Sequence, residues 1–151
     1  MRNLQEWLYG FALALILTTQ PLQAQKLIKD SKELTELRAK AESGDAHAQY
    51  NLGLCYANGT GVPKDEVEAV KWYRKAAEQN DADAQYNLGV CYHNGTGVPK
   101  DDVQGYMWFL LAGAQGNENA KKNIEIMERE MTREQIAEGR KLAREFEPRK
   151  P

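Results

Sequence analysis

Two near-copies of one segment lie 36 residues apart, and nothing else in this chain constrains its fold as much. The first reads Ala46-His-Ala-Gln-Tyr-Asn-Leu-Gly-Leu-Cys-Tyr-Ala-Asn-Gly-Thr-Gly-Val-Pro-Lys-Asp65, the second Ala82-Asp-Ala-Gln-Tyr-Asn-Leu-Gly-Val-Cys-Tyr-His-Asn-Gly-Thr-Gly-Val-Pro-Lys-Asp101. Comparing 46–77 with 82–113, 20 of 32 positions are identical. Self-similarity at a period in the thirties predicts a solenoid of helical hairpins. One such hairpin cannot bury its apolar face alone, so neighbours must stack, and the stack displays an extended surface suited to binding.

The local signals fit helices of one length. Ser31 is placed to cap a helix to about Ser43, with Leu34, Leu37, Arg38 and Ala41 on one face and Gly44 as its stop. Asp45 caps a helix over 46–57, whose apolar positions Ala48, Leu52, Cys55 and Tyr56 fall at helical spacing. The loop 58–64 follows, because Gly supplies the positive φ that ends a helix and Pro prevents its continuation. Asp65 with Glu68 predicts a capping box for a helix to about Gln79. The second copy predicts helices over 82–93 and 102–115 around the loop 94–100. A degenerate third copy begins at Asn117, with Ala120, Asn123 and Ile124 aligned to Ala84, Asn87 and Leu88. Thr132 and Gln135 form a second box, opening a final helix to about Phe146.

With 151 residues and 9% aromatic content, the chain can build one compact domain with its own core. A net charge of −2 and a pI of about 5.8 leave no basic footprint, which argues against nucleic acid and anionic membrane surfaces as partners. Residues 1–24 read as an export signal: Arg2, partly offset by Glu6, then an apolar run from Trp7 to Leu17, then Pro21 and a cleavage site after Ala24. The run is shorter than the roughly 20 apolar residues a membrane span needs. No Cys follows it to accept a lipid. A mature chain of residues 25–151, periplasmic or secreted and free of the membrane, is the expectation.

The helix through Tyr106-Met-Trp-Phe-Leu-Leu-Ala112 is apolar nearly all round. Its outer side needs a cover. The C-terminal helices supply one through Ile124, Met127, Ile136, Leu142 and Phe146, giving a monomer; a homodimer through Tyr106–Leu111 is the alternative. Cys55 and Cys91 occupy equivalent repeat positions. Equivalent helices sit about 8–10 Å apart or more, beyond the roughly 7 Å between Cα atoms that a disulfide tolerates. Both are expected as buried free thiols.

The pattern Ala48, Leu52, Gly53, Tyr56, Gly59, Gly61, Val62, Ala69, Trp72, Tyr73, Ala76, Ala77 resembles the Sel-1-like repeat, a relative of the tetratricopeptide repeat. The second copy matches at Ala84, Leu88, Gly89, Tyr92, Gly95, Gly97, Val98, Trp108, Phe109 and Ala112, and departs at Gly105 and Gly113. The resemblance covers about 37–124. It implies an all-α, short right-handed α-solenoid with a C-terminal capping helix. Its parts would be an N-terminal capping helix (25–44), repeats at 45–80 and 81–116, and a degenerate third repeat with the cap at 117–147.

The family resemblance further implies an adaptor that binds a protein or peptide in a groove lined by the first helix of each hairpin. The residues facing it would be His47, Tyr50, Asn51, Leu54 and Ala57, then Asp83, Tyr86, Asn87, Val90 and His93, then Lys122, Asn123 and Ile126. Tyrosine pairs an apolar body with a polar tip, and asparagine amides pair with peptide backbone. Each has a purely structural alternative: packing on a neighbour for the tyrosines, local backbone bonds for the asparagines, a plain surface position for the histidines.

No enzyme is expected. The chain has two serines, Ser31 and Ser43, neither opening a Ser-x-x-Lys motif, and two histidines. Some cysteine-rich Sel-1-like proteins carry a β-lactamase label, which makes a cell-wall- or β-lactam-directed hydrolase the alternative from another class. That likeness depends on paired cysteines within each repeat, and this chain has one. A structural, self-associating protein is a further alternative. No cofactor is expected, and His47 and His93, offset by about 15 Å of helix, do not suggest a shared metal. Asp65, Glu66, Asp101 and Asp102 read as helix-start residues. Asn58-Gly-Thr60 and Asn94-Gly-Thr96 fit a glycosylation acceptor but read first as turns.

Overall fold

A computed structural model describes residues 31–149 of the chain, and among them there are seven α-helices and no strand. The signal expected at 1–24 and residues 25–30 of the expected N-terminal cap lie outside the described residues. Helix α1 is described over 31–42. It is followed by α2 (Ala46–Asn58), α3 (Glu66–Glu78), α4 (Ala82–Asn94), α5 (Asp102–Ala114), α6 (Glu118–Glu130) and α7 (Arg133–Glu145). The chain divides into two units, residues 1–36 and 37–151. In the first, Ser31 is already helical and its carbonyl accepts a bond from Thr35 Oγ1 at 2.8 Å, so Ser31 does not cap the helix as its position suggested.

The second unit is built on caps repeated at one interval. Asp45, Asp81 and Asn117 accept the backbone N–H of Ala48, Ala84 and Ala120 at 2.6, 2.8 and 2.9 Å. These bonds satisfy amides that a helix start leaves orphaned. Helices α2 and α4 end on Gly59 and Gly95, both at φ 70, where a side chain would be strained. The turns after α1, α3 and α5 pass through positive φ at Gly44, Asn80 and Gly116. The box at Thr132–Gln135 is complete. The one expected at Asp65–Glu68 is only half made. Asp65 accepts from Val67 and Glu68, but its own N–H donates to the Tyr56 carbonyl at 2.9 Å, and Glu68 pairs with Lys71 instead.

Each hairpin closes at a glycine. A Cβ on Gly53 would lie 2.6 Å from the Tyr73 ring, and one on Gly89 2.7 Å from the Phe109 ring. Helix α4 then packs on α3 as well as α5, and Ala69, Val70, Tyr73, Ala77, Ala84, Leu88 and Trp108 share one buried cluster. Cys91 is buried in this layer and Cys55, one repeat nearer the N-terminal edge, only half-buried; both are free. Burial of both cysteines was expected, and Cys55 departs from it.

Residues 37–42 of α1 hold the register of α3 one repeat earlier. Arg38 donates to the Tyr56 hydroxyl at 3.3 Å as Arg74 does to Tyr92 at 2.7 Å. Buried Gln49 donates to the Ala41 carbonyl as buried Gln85 does to Ala77, at 3.0 and 3.2 Å. Gln79 and Gln115 complete these rungs, each donating to the preceding glutamine at 2.8 Å.

The C-terminal end breaks the pattern. Helix α7 lies chiefly on α5 and does not form with α6 the close hairpin that α3 forms with α2. Gly139 permits this, since a Cβ there would meet the Tyr106 ring at 2.6 Å. Met127, Ile124 and Ile136 pack with Tyr106 and Phe109. Leu142 and Phe146 pack against the Trp108 cluster. Helix α7 is thus the C-terminal cap, and it covers α5 with the residues expected to do so.

Candidate partner-binding surface

Helices α2, α4 and α6 are the first helices of successive hairpins, and all the residues expected in the groove lie on them. Tyr50 and Tyr86 are half-buried. Their rings pack on the partner helix of their own hairpin, Tyr50 on Tyr73 at 6.0 Å and Tyr86 on Phe109 at 5.8 Å. The Tyr50 hydroxyl reaches the next repeat and lies 3.5 Å from Asn87 Nδ2. Asn87 Nδ2 also donates to the Asp83 carbonyl at 3.0 Å. Asp83 accepts from Asn117, the cap of α6, at 3.4 Å. Tyr50, Asn87, Asp83 and Asn117 thereby run as a polar seam from α2 across α4 to the start of α6. Burial, reinforced by the Asp83 carboxylate, raises the Tyr50 pKa.

The other positions divide. His47 is exposed, its ring 6.3 Å from Tyr50. Asn51 is half-buried, while Leu54 and Val90 are half-buried against the two core clusters. Lys122 is exposed, and Ile126 is 50% exposed, an apolar side chain left open on α6. His93 is engaged at the corner between α4 and α5, its Nδ1 2.8 Å from Asp102 Oδ1. Sequence reasoning gave no partner for His93, because Ala57 stands at the equivalent position of the first repeat.

Outside this surface, a polar cluster joins three helices. Tyr106 donates to Glu128 Oε1 at 2.5 Å, and Arg140 donates to both, joining α5, α6 and α7. The Tyr106 bond, then Arg140, holds the Glu128 carboxyl below its ordinary range. Burial pushes the Cys91 thiol up to about 11. Ser43 Oγ donates to the Lys40 carbonyl. Among the described residues no three His, Cys, Asp or Glu side chains converge as a metal ion would need, and no helix is long and apolar enough to cross a membrane.

This arrangement defines a helical-hairpin repeat protein, a right-handed α-solenoid whose open feature is a surface. Residues 46–81 and 82–117 each match the Sel1 repeat. A Sel1 repeat protein of Oxalobacter formigenes is 48% identical, with a TM-score of 0.58 over 59% of this chain and 67% of its own. Helicobacter pylori cysteine-rich protein B is 33% identical, with a TM-score of 0.58 over 60% of this chain and 68% of its own. A protective antigen of uropathogenic Escherichia coli with an SLR fold superposes at a TM-score of 0.74, 38% identical over 77% of this chain and 25% of its own. The chain belongs to the Sel1 repeat family.

Two curated relatives are named for what they bind. Secretory immunoglobulin A-binding protein EsiB of Escherichia coli O6:H1 is 46% identical over 43 residues, 28% of this chain and 9% of that protein. DAP3-binding cell death enhancer 1 of Rattus norvegicus is 35% identical over 65 residues, 42% of this chain and 12% of that protein. The chain therefore spans about a tenth of the length of these curated relatives.

Proposed function

We propose that this chain is an exported protein- or peptide-binding adaptor whose partner seats on the wall formed by α2, α4 and α6. The observation that carries this reading is the seam from Tyr50 through Asn87 and Asp83 to Asn117. It offers phenol and amide groups beside half-exposed aromatic faces, a mixture suited to polypeptide recognition. The exposed Ile126 adds an apolar contact at one end. The binding names of the two curated relatives support a protein partner. The apolar run after Arg2 and the bacterial antigen among the structural relatives support export. A wall of barely three helices buries less than the roughly 1,200 Å² of a standard stable interface, so the complex is a transient one.

Tyr86→Ala tests the wall. Its ring is half-buried, so the fold survives, while loss of a central aromatic contact weakens partner binding by about 2 kcal/mol, near 30-fold. Surface plasmon resonance on a partner captured from a periplasmic extract reads the change, with Lys71→Ala on α3 as the control. Equal binding by Tyr86→Ala and wild type removes the wall from consideration. Mass spectrometry of the protein recovered from cells tests export; a first residue of Gln25 is the expected result.

A further inference from the structure

Residues 146–149 run over the other helices of the hairpins, α3 and α5. After α7 the backbone turns extended at Phe146, φ −68 and ψ 122. The Phe146 ring stands edge-on to Trp108, with centroids 5.4 Å apart and planes at 72°. Three residues on, Arg149 reaches the C-terminal end of α3. Its backbone N–H donates to the Glu78 carbonyl at 2.7 Å. Its guanidinium Nη1 lies 3.1 Å from Glu78 Oε2. There it lines an open pocket together with Ser43, Gly44, Gln49, Lys75, Glu78 and Gln79.

The chemistry of this pocket suits a cation. The end of a helix exposes carbonyls and the negative pole of its dipole. Glu78 adds a carboxylate that is 23% exposed. The nearby Lys75 ammonium is drawn over the Trp72 ring at 4.0 Å. Repeat position also matters: Ala114 stands where Glu78 would recur and Leu111 where Lys75 would, so the second repeat has no copy of this site. The occupant is loosely held by comparison. The Arg149 side chain is 75% exposed, and exposed ion pairs hold weakly. Trp108 also keeps a buried indole N–H with no acceptor among the described residues, a donor that the tail leaves unused.

We propose that the surface from Trp108 to Glu78 is a binding site for a short extended peptide carrying an aromatic residue and, three positions later, an arginine. Residues 146–149 fill it in cis and are displaced by such a peptide in trans. This site uses α3 and α5, so it stands apart from the proposed wall of α2, α4 and α6.

The probe is a fluorescent, amidated Phe-Glu-Pro-Arg peptide, read by anisotropy against the full chain and variants. A tethered tail competes at an effective concentration on the order of millimolar, so wild type binds the probe poorly. Arg149→Ala frees the Glu78 subsite and, by removing one exposed ion pair, tightens the apparent Kd by about two- to fivefold. Phe146→Ala with Arg149→Ala tightens it further where that variant folds, and the single variant carries the test where it does not. Adding Glu78→Gln to Arg149→Ala removes the gain. Equal affinity in wild type and Arg149→Ala, no binding to either, or indifference to Glu78→Gln each overturns the proposal.

Discussion

Helices α3 and α5 occupy equivalent places in the two repeats, yet their outer faces are opposites. On α3, Lys71 and Lys75 are exposed and Arg74 bridges to Tyr92. On α5 the corresponding residues are Met107, Leu111 and Leu110, and Val70 has become the fully buried Tyr106. The inner positions barely differ: Trp72 and Trp108, Tyr73 and Phe109, Ala76 and Ala112. Helix α7 accounts for the contrast, because it lies chiefly on α5. Within one repeat family, identity thus marks what every hairpin must do, and divergence marks what covers each hairpin.

The sharpest way to break this comparison is at the paired tryptophans. Trp108 is 4% exposed under Phe146, whereas Trp72 is half-buried beneath Lys75. Trp108→Ala is expected to destabilise by about 3–5 kcal/mol, and Trp72→Ala by about 1–2 kcal/mol. Urea unfolding measures both; equal losses would mean that α7 does not distinguish the helices.

The glycines give the next effect. Gly97 sits at φ 67 with the carbonyl carbon of Glu66 2.5 Å from where a Cβ would be, and Gly44 at φ 102 has nothing within 4 Å. Gly97→Ala adds a clash to the backbone strain and is expected to destabilise by about 2–4 kcal/mol. Gly44→Ala carries the strain alone, about 1 kcal/mol. Thermal melts that rank them the other way would show that the loop 94–100 yields easily where it meets α3.

The tie between α7 and α5 should depend on pH. The Glu128 carboxyl is lowered from its ordinary 4.5 by Tyr106 and Arg140. A depressed carboxyl stabilises the folded state fully above its unfolded value, and the benefit is lost as pH falls through the folded one. Glu128→Gln is therefore expected to lower stability by about 1 kcal/mol or less at pH 7 and by progressively less below pH 4.5. A constant difference from pH 7 to pH 3 would refute the link. The smallest effect is kinetic. Ellman's reagent should modify half-buried Cys55 before Cys91, whose thiol is buried and held near 11; simultaneous reaction would show that the layer between repeats opens as a unit.

Much of this was legible in the chain itself. The 36-residue interval, the Asp and Asn caps and the Asn-Gly turns are local signals, and the hairpins follow from them. The cover of α5 was legible too, because an all-apolar helix demands one and Ile136, Leu142 and Phe146 come at the right spacing. What escaped depends on partners distant in sequence. Glu68 has the residue type for a capping box, but the amide it would serve is already bonded to Tyr56. The register of α1 was hidden because only its tertiary bonds, from Arg38 to Tyr56 and from Gln49 to Ala41, reveal it. On the proposed wall, sequence supplied the positions of Tyr50 and Asn87 but not their meeting, which crosses two repeats. The contact of Arg149 with Glu78 was invisible, since nothing near Arg149 points to the end of α3.

The glutamine rungs carry a consequence for how such a chain can grow. Gln49 and Gln85 are each buried, each anchored to a carbonyl behind and each satisfied by a glutamine 30 residues ahead. A further 36-residue unit spliced in at 81/82 would find both connections waiting, and would offer both to its successor. Lengthening by whole units therefore leaves each of these buried amides paired, so the architecture is open to duplication.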